Sequence, residues 1–186
     1  NYVRSLNPPN WASLYGGLGI CPHTYSFFMK YAASAKVICE IGMGSGFSSA
    51  LFLFAGNAVV HTFDLGSEHK TKIFEYLSGK FPMRYFAKWG DFHETIPGSK
   101  LKCDLLFVDA VHPDDVQVGM KNIVHKNTVW LYHNGGAGNP KARDYLRDNY
   151  QWTELGMSDT PRNDGGKCVY YAGKLIITEK PMVKVV

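Results

Sequence analysis

"CEIGMGSGFSS", residues 39–49, sets glycines at 42, 44 and 46 directly behind a short apolar run and an acid. Val37, Ile38 and Ile41 carry the branched side chains that suit a strand. A chain that then drops its side chains at three of five positions is bringing backbone close to something. A glycine-rich turn that leaves a strand and opens a helix aims N–H groups at a ligand, and the helix N-terminus favours negative charge there. In an open α/β sheet the ligand lies at the carboxyl ends of the strands.

Outward from this turn, strand and helix signals alternate. Strand-like runs occupy 37–42, 59–65, 83–89, 103–110 and 128–133. Helical patterns lie between them at 47–56, 68–80 and 114–125, with a shorter turn at 92–96. Before the first strand, "CPHTYSFFMKYAASA" reads as a helix with Pro22 in its first turn. A helix is expected at 140–149, after the loop "NGGAG". Two closing strands, 152–158 and 167–179, flank a "PRNDGG" turn. The runs before residue 135 are almost continuously apolar, as parallel strands covered on both faces are. The expected fold class is therefore α/β: a doubly wound, mostly parallel sheet of seven strands with a C-terminal antiparallel hairpin and helices on both faces. No repeat or linker breaks the 186 residues, which read as a single domain, 1–186, with 1–35 as an N-terminal cap.

Composition excludes several classes. Apolar residues make up 45% and charged residues 19%, so the chain can bury a core and is not disordered. A net charge of +4, with Lys and Arg scattered, gives no basic patch for nucleic acid. No apolar run approaches the roughly 18 residues of a membrane span. Cys21, Cys39, Cys103 and Cys168 are widely spaced without a C-x-x-C pair, which argues against a zinc site or a disulfide framework. Cys39, inside an apolar run, is expected as a buried thiol. No signal-peptide pattern or glycosylation sequon appears, so the cytoplasm is the default location; a start at Asn1 rather than Met leaves a removed leader open.

Two adenine cofactor families use a glycine turn of this kind. The dinucleotide fingerprint needs a glycine three positions after Gly44, where this chain has Phe47. The spacing found, Glu40-x-Gly42-x-Gly44-x-Gly46 with Asp64 ending the second strand, resembles the class I S-adenosylmethionine-dependent methyltransferases, whose fold is Rossmann-like. The resemblance runs along almost the whole chain. It implies cofactor contacts from Glu40, Gly42, Gly44 and Gly46, and ribose binding by Asp64, about 18 residues beyond Gly46. "KWGDFHETIPG" is similar to the family's stretch near the adenine, which implicates Gly90 and Asp91, and "CDLLFVDAVH" is similar to the motif that ends at the reacting methyl group.

Near the amino end the resemblance sharpens toward small-molecule O-methyltransferases of the catechol and caffeoyl-coenzyme A type and related metal-dependent groups. It implies that Ser48 holds the methionine carboxylate and that Asp109 stands at the cofactor and metal position. The Asp-Asn pair expected after the fifth strand falls on "YHNG": Asn134 matches and His133 departs. The ligand set that the resemblance implies is then Asp109, His133 and Asn134. Carboxylate and carbonyl oxygens suit magnesium, whereas a histidine leans toward zinc, manganese or iron. A divalent metal of unsettled identity, or none, is compatible with this pattern, and His133 could equally be a strand-end histidine bonded to backbone.

A hydroxyl acceptor must lose its proton, which a histidine near neutral pH can accept. His112, three residues after Asp109, is the expected general base, with a helix-capping role as its bland alternative. Asp109 is the second catalytic candidate. His93, near the adenine motif, reads as local structure. The expected partner is a small-molecule acceptor, with no nucleic acid and no membrane, and a homo-oligomer is left open. The expected activity is O-methylation with S-adenosylmethionine as cofactor. A non-catalytic binding module of the same fold is the alternative, kept alive by His133. A nucleic-acid methyltransferase is disfavoured, because "NPPN" at 7–10 precedes the sheet and Asp109-Ala110-Val111-His112 follows strand four.

Overall fold

A computed structural model of the chain describes residues 25–109, 113–134, 145, 148–161 and 167–177. Its elements follow the order α1 (Tyr25–Ala32), β1 (Val37–Ile41), α2 (Phe47–Ala55), β2 (Val59–Asp64), α3 (Glu68–Lys80), β3 (Tyr85–Trp89), α4 (Phe92–Thr95), a 3₁₀ turn (Pro97–Ser99), β4 (Leu105–Val108), α5 (Pro113–Asn122), β5 (Val129–Asn134), β6 (Gln151–Pro161) and β7 (Lys167–Ile177). The strands form one sheet in the order β3-β2-β1-β4-β5-β7-β6. The first five are parallel neighbours, and β7 returns antiparallel between β5 and β6. The expected alternation and closing hairpin are both present. Of the helix expected at 140–149, Tyr145, Asp148 and Asn149 are described and helical; the rest lies outside the described residues.

Parity along the strands divides the core into two layers. Ile38, Val60, Leu105 and Phe107 pack with Phe28 of α1, Phe52 of α2 and Leu77 of α3. Cys39, Ile41, Leu106 and Val108 pack on the opposite face with Ile96, Met120 and Ile123. Successive strand side chains point to opposite faces, so one apolar strand serves both layers. Phe28, Phe52 and Phe107 meet edge-on or tilted, with ring centroids 5.2–6.1 Å apart, and fix α1 and α2 against β4. Cys39 and Cys103 are buried free thiols, and a hydrogen bond with Cys39, then burial, pushes the Cys103 thiol well above its ordinary range.

The starts of two strands differ from the sequence reading, as do the ends of α5 (Asn122 rather than 125) and β6 (Pro161 rather than 158). The third strand starts at Tyr85 rather than 83, because Met83 is left-handed (φ 61°) and Arg84 turns aside. The Arg84 guanidinium donates to the carbonyls of Leu53, Gly56 and Ala58 and so closes the end of α2. The fourth strand starts at Leu105 rather than 103, because the Asp104 carboxylate accepts from the backbone N–H groups of Lys36 and Val37 at 2.9 and 3.0 Å. Both are side-chain bonds to distant backbone, which a local pattern does not reveal.

Strand order reverses between β1 and β4, and that switch point positions the site. The carboxyl ends of neighbouring strands are level and tied by main-chain bonds. Gly42 N donates to Phe63 O, Gly90 N to Asp64 O and Asp109 N to Ile41 O, each at 2.9 Å. Among the described residues no helix is long and apolar enough to cross a membrane.

Candidate active site

The glycine turn leaves β1 and enters α2 with Gly42, Gly44 and Gly46 all at positive φ (87°, 52° and 73°). Side chains rarely adopt that conformation, which explains the spacing of the motif. Gly46 is also short of space: a Cβ there would overlap Ile73 Cγ2 of α3. It is the N-cap of α2, and no side chain caps that helix.

Glu40 lies beneath the turn and is wholly buried. Ser48 and Ser49 donate their hydroxyls to its two carboxylate oxygens, and Thr62 Oγ1 adds a third bond at 2.7 Å. Tyr85 OH donates to Ser49 Oγ at 3.0 Å and extends the chain to β3. The sequence reading gave Glu40 and Ser48 to the cofactor. The structure bonds their side chains to each other beneath the turn. The physical reason is parity: Glu40 shares the face of Ile38, which α2 covers.

Burial raises the Glu40 pKa from 4.5 to about 7, against the lowering effect of the three hydroxyls. A raised folded-state value favours the protonated acid, so its stabilising effect is full below 4.5 and is lost as pH rises toward about 7. The interval corresponds to roughly 3 kcal/mol. His61 is lowered instead, by burial and then by Lys88, which works in the opposite direction. The Glu40→Gln variant isolates the acid. Between about pH 5 and about pH 8, urea unfolding should show wild type losing roughly 2–3 kcal/mol relative to that variant. Parallel profiles for the two proteins would remove this role.

Asp64 ends β2 with its side chain 5% exposed. Oδ2 accepts from Met43 N and Oδ1 from Gly66 N, both at 2.8 Å, so this acid holds the glycine turn as well as its own loop. Lys70 of α3 reaches both oxygens, at 2.6 and 2.8 Å. The sequence reading missed Lys70. The available signal was "SEHK", a capping-box spacing with a lysine where the acid belongs.

Gly90 follows β3 at φ 124°, and Asp91 caps α4 by accepting from His93 N at 2.8 Å. Both stand at the carboxyl edge of the sheet, where Gly90 N meets Asp64 O. The turn, Asp64 and the Gly90–Asp91 corner therefore share one sheet edge. Of the turn glycines Gly44 is exposed, while Gly42 N and Gly46 N are taken by Phe63 O and Met43 O.

Asp109 follows β4, and His133 lies near the end of β5. The structure brings them together across 24 residues: His133 Nδ1 and Asp109 Oδ1 are 2.7 Å apart, with side chains 5% and 26% exposed. Parallel pairing of Val108 with Tyr132 sets this juxtaposition. His112 lies outside the described residues, and of Asn134 the backbone alone is described. Among the described residues no three His, Cys, Asp or Glu side chains are placed to hold a metal ion. Asp109 and His133 are two of the three side chains of the metal pattern and are bonded to each other; the side chain of the third, Asn134, lies outside the described residues.

No family model matches the sequence, and no curated protein matches it. The fold does match solved structures. An O-methyltransferase from Bacillus cereus, solved with S-adenosylhomocysteine, is similar at a TM-score of 0.73 and 16% identity, over 92% of this chain and 90% of that one. The O-methyltransferase TomG from Streptomyces achromogenes, involved in tomaymycin synthesis and solved with S-adenosylmethionine, is similar at 0.68 and 17%, over 94% and 85%. The chain thus has the class I methyltransferase fold over nearly its whole length.

Proposed function

We propose that this protein is an S-adenosylmethionine-dependent methyltransferase that methylates a hydroxyl of a small molecule, as a single domain over 1–186 with residues 1–35 on the acceptor side. The observation that carries this reading is the bonding of the glycine turn to Asp64 through Met43 N, which ties loop and acid together beside the switch point. Gly42, Gly44 and Gly46 let the backbone meet the amino-acid end of the cofactor, Asp64 takes the ribose hydroxyls, and Gly90 and Asp91 border the adenine. When bound, the cofactor supplies an activated methyl group on a sulfonium. The protein then has to hold the acceptor in line and remove its proton. Asp109 stands at the reacting edge with His133 oriented by it, and His112 takes the acceptor proton.

The first test is calorimetric titration with S-adenosylmethionine, S-adenosylhomocysteine and, as control, NAD. Micromolar binding of the first two alone is expected, followed by methyl transfer in a screen of hydroxylated acceptors run with a panel of divalent cations and with chelator. Absence of binding would overturn the reading. Binding without transfer to any acceptor would leave a binding module in its place.

A further inference from the structure

Lys70 sits where local helix physics disfavours it. Ser67 caps α3 and accepts from Lys70 N at 3.3 Å, which makes Lys70 the third helical residue. A capping box places Glu or Gln there, and a cation in the first turn opposes the helix dipole. The contact that accounts for Lys70 is Asp64, met by its ammonium at both oxygens.

A carboxylate has about four lone-pair sites. Met43 N, Gly66 N and the two contacts of Lys70 Nζ use all four on Asp64. The two backbone donors are fixed by the turns that carry them. The lysine is on a flexible stem, with its side chain 27% exposed and so with a way out to solvent. We infer that Lys70 competes with the ribose diol for Asp64 and sets cofactor affinity by having to leave. The inference rests on the cofactor reading proposed above. Lys70 is on this view a specificity-setting residue that acts through Asp64.

The experiment is calorimetry of S-adenosylhomocysteine on wild type, Lys70→Met and Lys70→Arg. Lys70→Met removes the competing charge at similar length, and affinity should rise roughly tenfold. Lys70→Arg keeps a firmer, forked pair, and affinity should fall. The gain in Lys70→Met should shrink for a 2′-deoxyribose analogue of the same ligand. A merely structural lysine would lower the melting temperature without this dependence on the diol. Equal or weaker binding by Lys70→Met overturns the inference while leaving the cofactor reading intact. Binding by none of the three proteins overturns both. Should Lys70→Met fail to fold, loss of affinity in Lys70→Arg supports the inference, and an equal or greater affinity in that variant overturns it.

Discussion

Asp64→Ala is expected to weaken S-adenosylhomocysteine binding on the order of a hundredfold. Two hydrogen bonds from ribose hydroxyls to a charged acceptor are lost. Met43 N also loses its acceptor, so the glycine turn loosens in the same variant. A buried N–H left without a partner costs about 1–3 kcal/mol, and some of the loss will therefore appear as lower stability. Asp64→Asn separates the two effects. Its amide oxygen can still accept from Met43 N, so the fold should survive, while the charge that draws the diol is gone. Calorimetry and a melting curve on both variants decide the matter. Wild-type affinity in a folded Asp64→Asn protein would withdraw the ribose role.

Turnover by His112→Ala and by Asp109→Ala is expected to fall ~10²-fold or more, with S-adenosylhomocysteine binding largely unchanged. A general base contributes to proton removal and not to cofactor affinity, so the loss belongs in kcat. The acid limb of the pH–rate profile should vanish in His112→Ala if that imidazole takes the acceptor proton. Asp109→Ala acts differently, by taking away the carboxylate 2.7 Å from His133 Nδ1. If the limb survives in His112→Ala and disappears in His133→Ala, the proton goes to the histidine that Asp109 orients. Full turnover by both His112→Ala and Asp109→Ala would remove both assignments.

The methyltransferase fold was legible because its signals are local. Apolar runs at 37–42 and 59–65, the glycine spacing between them and Asp64 at a strand end each lie within a few residues. Register and switch point follow from parallel pairing of such runs, and the structure places Asp64 and Asp109 at the same sheet edge accordingly. Less was legible of what each polar group does there. Glu40 reads as part of a ligand motif, yet its face of β1 is the one that α2 covers, and three hydroxyls close on it. His133 reads as an anomaly in a metal pattern, yet in space it is the partner of Asp109.

Sequence alone determined the fold class, the place of the glycine turn and the acids that follow the strands. These depend on backbone geometry and on hydrophobic period, both written in consecutive residues. The tertiary structure alone decided the pairings: Lys70 with Asp64, His133 with Asp109, and Ser48, Ser49 and Thr62 with Glu40. A hydrogen bond needs its two atoms within about 3 Å at a suitable angle, and which atoms come that close is settled when the helices pack on the sheet.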